Sequence, residues 1–285
     1  MLTTTQDMMN RAYSKKYAVP AINTQGGTYD IINAVCKAAE ELESPVILAH
    51  YMVTGTYSGH DWFFETAKWM AERVNVPVAI HLDHGDSYEH CLQMLKLGFT
   101  SIMYDGSKLP IKENAALTSE ILKACHVFGI PVEAELGELA RLDAQGNIEG
   151  SSNVVDPENV KEFLNLCKPD SLALGIGNAH GFYKGLVNIR VDVLEQCRQF
   201  TGVPFVLHGC TGMEEKMIRD SINCGVAKIN FGTQVRYQYI QYLKEGIEQG
   251  VDQGHSWRLS AYAEKRLRED IKKIILTAGS EGKAA

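Results

Sequence analysis

Eight short runs of almost uninterrupted apolar residues recur along the chain, separated by longer stretches whose apolar positions repeat every three or four residues. The runs are Tyr17–Asn23, Pro45–Tyr51, Pro77–Asp83, Ser101–Gly106, Pro131–Gly137, Ser171–Ile176, Pro204–Gly209 and Ala227–Gly232. Successive apolar positions, without the alternation of a half-exposed strand, predict strands buried on both faces. The intervening periodicity predicts helices, clearest over Tyr29–Leu42 and Ile111–Phe128. Asp156-Pro157 offers an N-cap followed by proline at the first helical position. Gly98, Gly129 and Gly225 stand where helices stop before the next strand. Three runs open with Pro-Val, and a proline at the first residue of a strand forfeits no needed ladder bond. Strict alternation of eight strands with helices predicts an α/β chain folded as a (β/α)8 TIM barrel rather than an open sheet. An extra C-terminal helix is expected from about Ser260 to Ala278. No low-complexity segment or linker marks a boundary, so residues 1–285 are expected to form one barrel domain.

Composition narrows the function classes. Apolar residues make up 45% and charged residues 22%, which is ordinary for a globular chain. A net charge of −7 argues against nucleic-acid binding, which needs a basic surface. It leaves room for small anionic substrates, because a local set of donors can hold a phosphate in an acidic protein. No basic segment followed by an apolar run opens the chain, and no apolar stretch approaches membrane-spanning length. A soluble, cytoplasmic protein is expected, with no nucleic-acid or membrane partner. No two of the seven cysteines stand three apart, which excludes CxxC and argues against a disulfide framework.

Reactive residues of a barrel collect at the C-terminal ends of its strands. His84, His180 and His208, three of the nine histidines, follow three different predicted strands there. Three imidazoles converging on one mouth suit Zn2+ with an open position for substrate. Each histidine taken alone also reads as a satisfied polar residue at the rim. Asp83 reads equally as an acid/base or as an orienter of a histidine. His81, two residues before it on the same strand face, is a partner of that kind or a packing residue. Glycine-rich turns follow strands seven and eight, His208-Gly209-Cys210-Thr211-Gly212 and Asn230-Phe231-Gly232-Thr233, a frequent phosphate site in this fold. Lys184 either adds a positive charge there or is a solvated lysine.

Together these residues resemble the class II fructose-bisphosphate and tagatose-bisphosphate aldolases. The resemblance is carried by Tyr17 to Asn23, His81-Leu82-Asp83-His84-Gly85, Asp105-Gly106-Ser107, Glu133 to Gly137, His180-Gly181, His208-Gly209, Asn230 to Thr233 and the ending Gly279 to Ala284. It implies zinc on His84, His180 and His208, with Glu135 or Asp105 close enough to take or release a metal. It implies Asp83 as catalytic acid/base. It matches Gly181, Gly209, Thr211, Asn230 and Thr233 to positions that hold the phosphate of dihydroxyacetone phosphate, and Asn23 and Lys184 join them as candidate substrate-binding residues. It further implies a phosphorylated sugar substrate, a homodimer or homotetramer, and a monovalent cation, Na+ or K+.

Three departures bear on substrate choice. The family's mobile loop after strand five carries a Gly-Gly pair and then a glutamate that moves a carbon-bound proton. Here the chain reads Gly137-Glu138-Leu139-Ala140-Arg141-Leu142-Asp143, which leaves Asp143 or Glu149 as that base. Tyr51 replaces a small hydroxyl residue at the end of strand two, and Cys210-Thr211 stands in the phosphate turn. Arg258 and Arg268, in the tail, are either anion partners or part of a solvated helix face. The leading expectation is a zinc aldolase using dihydroxyacetone phosphate, tagatose- or fructose-bisphosphate-like. A non-glycolytic sugar or sugar-acid phosphate, a barrel without catalysis, and a zinc hydrolase are the alternatives.

Overall fold

Eight parallel strands close into a barrel in the order of the chain: β1 (Val19–Asn23), β2 (Val46–Tyr51), β3 (Val78–Gly85), β4 (Ser101–Tyr104), β5 (Val132–Leu136), β6 (Ser171–Leu174), β7 (Phe205–Leu207) and β8 (Val226–Phe231), with β8 paired to β1. The computed structural model describes residues 1–142, 148–149, 154–183 and 189–285. Each strand falls within or beside its predicted run. The prolines at 45, 77, 131 and 204 stay just outside, because proline has no N–H for the ladder. The C-terminal helix is longer than expected, Ser256–Ala278, and packs against the helices Tyr29–Glu41 and Thr233–Glu248. It ends at Gly279, whose left-handed backbone closes the last turn.

Strand pleating sorts the apolar residues into two sets. Outward residues such as Ile22, Leu48, Ile80 and Leu82 pack against the surrounding helices. Inward residues Val19, Ile47, Ala79, Ala173 and Val206 fill the lower barrel. The helix Thr5–Lys15 closes that end with Met8, Met9 and Ala12. The pattern had assigned no element to that segment. Above the apolar floor the interior turns polar: His81, Ser101, Glu133 and Lys228 are all buried. Above these sit Asp83, Asp105, Glu135, His208 and Asn230 at the mouth.

A small separate sheet lies over that mouth. Ala140–Leu142 pairs antiparallel with Ile148–Glu149 and parallel with Ala179–His180. The start of the loop after β5 is thereby tied to the turn carrying His180. Strands of two or three residues leave no periodicity to read, so the sequence pattern had not disclosed them.

His50, fully buried at the end of β2, stacks on Phe63 with ring centroids 4.2 Å apart. Its Nε2 is 2.8 Å from His60 Nδ1, and its own Nδ1 has no partner. Burial first, and the His60 ring second, push its pKa down to about 3 from the usual 6.5. In that window the unfolded chain binds a proton that the folded chain refuses. Stability contributed by neutral His50 is therefore whole above 6.5 and falls as pH drops toward 3, by up to about 1.4 kcal/mol per pH unit. Urea unfolding at pH 5 and pH 7.5 should show a larger stability difference for the wild type than for His50→Met. Equal differences would remove His50 as the cause.

Candidate active site

Adjacent residues on a strand normally face opposite ways, yet Asp83 and His84 both line the same cavity. The reason is local. The register between β3 and β4 slips between Leu82 and Gly85, and His84 has a left-handed φ of 55°. A non-glycine residue held there is strained, and such strain persists where surrounding contacts over-determine it. Those contacts are visible: His84 Nδ1 lies 2.9 Å from Asp105 Oδ2 and 3.5 Å from Glu135 Oε2. A carboxylate fixes the proton on Nδ1. His84 Nε2 is then the nitrogen left to face a metal, and it is buried with no hydrogen-bond partner.

His208 follows β7 and is oriented from below. Its Nε2 is 3.0 Å from Glu133 Oε1, and its Nδ1 is 3.2 Å from Asn230 Nδ2. The turns of His180 and His208 are fastened together. The Tyr183 hydroxyl accepts from the Ala179 N–H at 2.7 Å and reaches the carbonyls of Ala179 and Gly209 at 2.9 and 3.0 Å. Gly209 is required at that seam, because a Cβ there would stand 2.2 Å from the Ala179 oxygen. Asn178 completes it, donating to the His208 carbonyl at 3.0 Å.

The three imidazoles thus meet although they come from three strand ends. Ring centroids are 5.1 Å apart for His84–His180, 4.8 Å for His84–His208 and 6.0 Å for His180–His208. One nitrogen from each lies within 4.8 Å of the others, and His84, Asp105 and Glu135 form a second such group. Nitrogen donors in this arrangement are suited to zinc, and the unpartnered His84 Nε2 is the kind of atom a metal would satisfy.

The class II fructose-bisphosphate aldolase family model matches residues 3–283. The chain belongs to that family. The solved YdjI aldolase from Escherichia coli K12 is 32% identical over 100% of both chains, with a TM-score of 0.88. The fructose-bisphosphate aldolase from Campylobacter jejuni is 23% identical over 99% of this chain and 97% of its own, TM-score 0.80, and shares the fold.

The mouth of this aldolase barrel opens into a cavity of about 450 Å3. Asn23, Asp83, His84, Asp105, Glu135, His180, Gly181, His208, Gly209, Thr211, Asn230 and Thr233, all singled out from the sequence, line it. Lys184 and Asp143 lie outside the described residues, as does the side chain of Glu149. Arg258 and Arg268 do not line the cavity. Arg268 instead pairs with Glu264 at 2.7 Å and Glu41 at 2.9 Å, bracing the C-terminal helix.

Among the further lining residues are four long polar side chains to which the sequence reading gives no role. Lys108 follows Asp105, Gln25 follows β1, and Glu138 stands 4.0 Å from Lys108. Arg236 lies one turn into the helix that begins at Thr233. The missed signal was positional: a charged residue in the first turn after a strand end faces the mouth. Tyr51 also lines the cavity, its ring edge-on to His84 at 6.2 Å.

The charges interlock. Burial raises the Asp83 pKa, but interaction with His84, then with His208 and Lys228, outweighs it and holds the carboxyl below its usual range. Burial lowers the His84 pKa, but hydrogen bonding to Asp105 and the nearby carboxylates raise it to about 10 in the metal-free chain. Burial, reinforced by Asp105, drives Glu135 well above the carboxylate range. Its Oε2 is buried and accepts no hydrogen bond, with His84 Nδ1 3.5 Å away.

Proposed function

We propose that this chain is a zinc-dependent aldolase that reversibly cleaves a ketose (bis)phosphate, tagatose- or fructose-bisphosphate-like, to dihydroxyacetone phosphate and an aldehyde. The observation that carries the reading is the convergence of His84, His180 and His208 beside a buried, ionised Asp83. The three histidines would hold the metal, with Glu135 and Asp105 as the nearby carboxylates. Bound there, zinc would act as a Lewis acid toward a ketone oxygen.

The chain's own residues do the rest. In cleavage Asp83 takes the hydroxyl proton on the aldehyde side, and in condensation it returns that proton. Asn230 Nδ2, 3.2 Å from Asp83 Oδ1, orients the carboxylate. Asn230 Oδ1, buried and unpartnered, is an acceptor for a substrate hydroxyl. Gly181, Gly209, Thr211 and Thr233 surround the phosphate, with Lys184 contributing charge. The helix Thr233–Glu248 begins there with no side-chain cap at Gly232, and its Gln234 N–H donates to Thr211 Oγ1 at 3.2 Å, so the positive end of the helix dipole lies beside the phosphate. Asn23, its Oδ1 held by Gln25, helps line the substrate space. Holding the three-carbon half in place is what converts binding into rate.

Arg236 adds the positive charge that an anionic substrate needs at this rim. No described residue pairs with it. Arg236→Gln should raise KM for a phosphorylated substrate about tenfold, the scale of one charge-assisted hydrogen bond at a partly wet site, with a smaller change in kcat. Steady-state kinetics would test this, and an unchanged KM would remove Arg236 from substrate binding.

The second reading, a non-glycolytic sugar or sugar-acid phosphate, is favoured by Tyr51 and Lys108 on the cavity wall. Under either reading the chain works in the cytoplasm as a homodimer or homotetramer, with a monovalent cation. The exposed Trp62, Trp69 and Trp257 offer contact area for subunits. No helix among the described residues is long and apolar enough to cross a membrane.

The deciding experiment is a panel of ketose 1-phosphates and 1,6-bisphosphates assayed by coupled triose-phosphate detection, with zinc content measured in parallel. Release of dihydroxyacetone phosphate supports the reading, and the best substrate identifies the aldehyde. Hydrolysed product without triose phosphate would replace it with a zinc hydrolase.

A further inference from the structure

Below the three histidines the barrel interior holds a chain of hydrogen bonds that the proposed reaction does not use. Lys228 and Glu133 are 1% and 2% exposed, and His81 is fully buried. Lys228 Nζ lies 2.8 Å from Glu133 Oε2 and 3.0 Å from His81 Nε2. Glu133 Oε1 meets His208 Nε2 at 3.0 Å. At the other end His81 Nδ1 is 2.7 Å from Ser101 Oγ, which accepts from Thr5 Oγ1 at 3.0 Å.

Two members of this chain have no choice of role, and they set the direction of all the others. An ammonium only donates and an ionised carboxylate only accepts. Lys228 therefore makes His81 Nε2 an acceptor, which puts the His81 proton on Nδ1, toward Ser101. Glu133 makes His208 Nε2 a donor, which leaves the lone pair of His208 on Nδ1, the atom nearest Asn230 and the cavity. Without the lysine, the carboxylate would sit uncompensated among apolar neighbours and would give up its charge or move.

We propose that the buried Lys228–Glu133 pair, braced by His81, is a positioning device that fixes the tautomer and ring orientation of His208 so that Nδ1 faces the metal site. This inference rests on the zinc reading given above. Stability alone does not account for the pair. The layer beneath it is built from Ala79, Ala173 and Val206, and well-packed apolar residues usually stabilise a core at least as well as a buried ion pair does. What apolar residues cannot supply is a directed acceptor for His208 Nε2–H. Asp105 does the same for His84 through the opposite ring nitrogen. The two ligands are thus oriented by separate carboxylates, one at the mouth and one from below.

The test compares wild type with the double variant Glu133→Leu/Lys228→Met. The double change removes both charges and the acceptor for His208 Nε2–H at similar side-chain size, so no unpaired charge is left buried. Zinc affinity is measured by competition with a chromophoric chelator, alongside the melting temperature of the metal-free proteins. The expected result is zinc binding weakened by about 10- to 100-fold with the metal-free melting temperature within a few degrees of wild type. Zinc binding equal to wild type would overturn the inference while leaving the zinc reading intact. Failure of the wild type itself to bind zinc would overturn the zinc reading, and the inference with it. Long-range 1H–15N spectra of the metal-free wild type test the same point without a variant. His208 should be the Nε2–H tautomer and His81 the Nδ1–H tautomer, and the opposite tautomer at His208 would overturn the proposal even if the double variant fails to fold.

Discussion

Stripping the metal is expected to stop carbon–carbon cleavage, and His84→Ala is expected to do the same without chelator. The loss should be on the order of a thousandfold or more, because a bound cation stabilises developing charge by several kcal/mol. Of the three histidines at this site, His84 makes the sharpest variant. It is the ligand with a left-handed backbone, two carboxylate neighbours and a buried nitrogen lacking a partner. Removing its imidazole takes away one of the three nitrogen donors, so zinc stoichiometry should fall together with activity. Re-adding zinc should restore the chelated wild type but not His84→Ala. Full activity after exhaustive chelation, confirmed by metal analysis, would end the zinc reading.

Much of the fold was legible because strands buried on both faces are written as continuous apolar runs, and all eight were. The polar middle of the barrel was harder to see. His81 sits two residues before Asp83, so its inward face followed from the strand period. Its partner did not, because Lys228 reaches it from β8, 147 residues away. Lys228 falls second in the apolar run Ala227–Gly232, and in the structure it is the third residue of Val226–Phe231 and is buried inside the barrel. Glu133 was visible only as part of a motif. What it does depends on His208, 75 residues later. The same limit applies to the sheet joining Ala140–Leu142 to the His180 turn, which exists because tertiary structure brings two short segments side by side. The ligands themselves were readable, since barrel topology sends every strand's end to one mouth whatever its neighbours are.

Asp83→Asn should lower kcat for cleavage by roughly 10²- to 10⁴-fold, the usual worth of a positioned acid/base, and leave zinc bound. Two roles were open for this residue, proton transfer or the orientation of a metal-binding histidine, and the hydrogen bonds separate them. His84 is oriented by Asp105 and His208 by Glu133. Asp83 instead accepts from Asn230 at 3.2 Å. It is also a buried carboxyl held below its usual range by the charges around it, and hence ready to accept a proton at neutral pH. Asparagine preserves the shape and keeps an acceptor for Asn230, but it has no basic oxygen. The change should therefore appear in kcat with KM and zinc content nearly unmoved. Loss of zinc in step with activity would assign Asp83 to holding the site together, and the proton would then have to be moved by another carboxylate on the cavity wall, of which Glu138 is the most exposed.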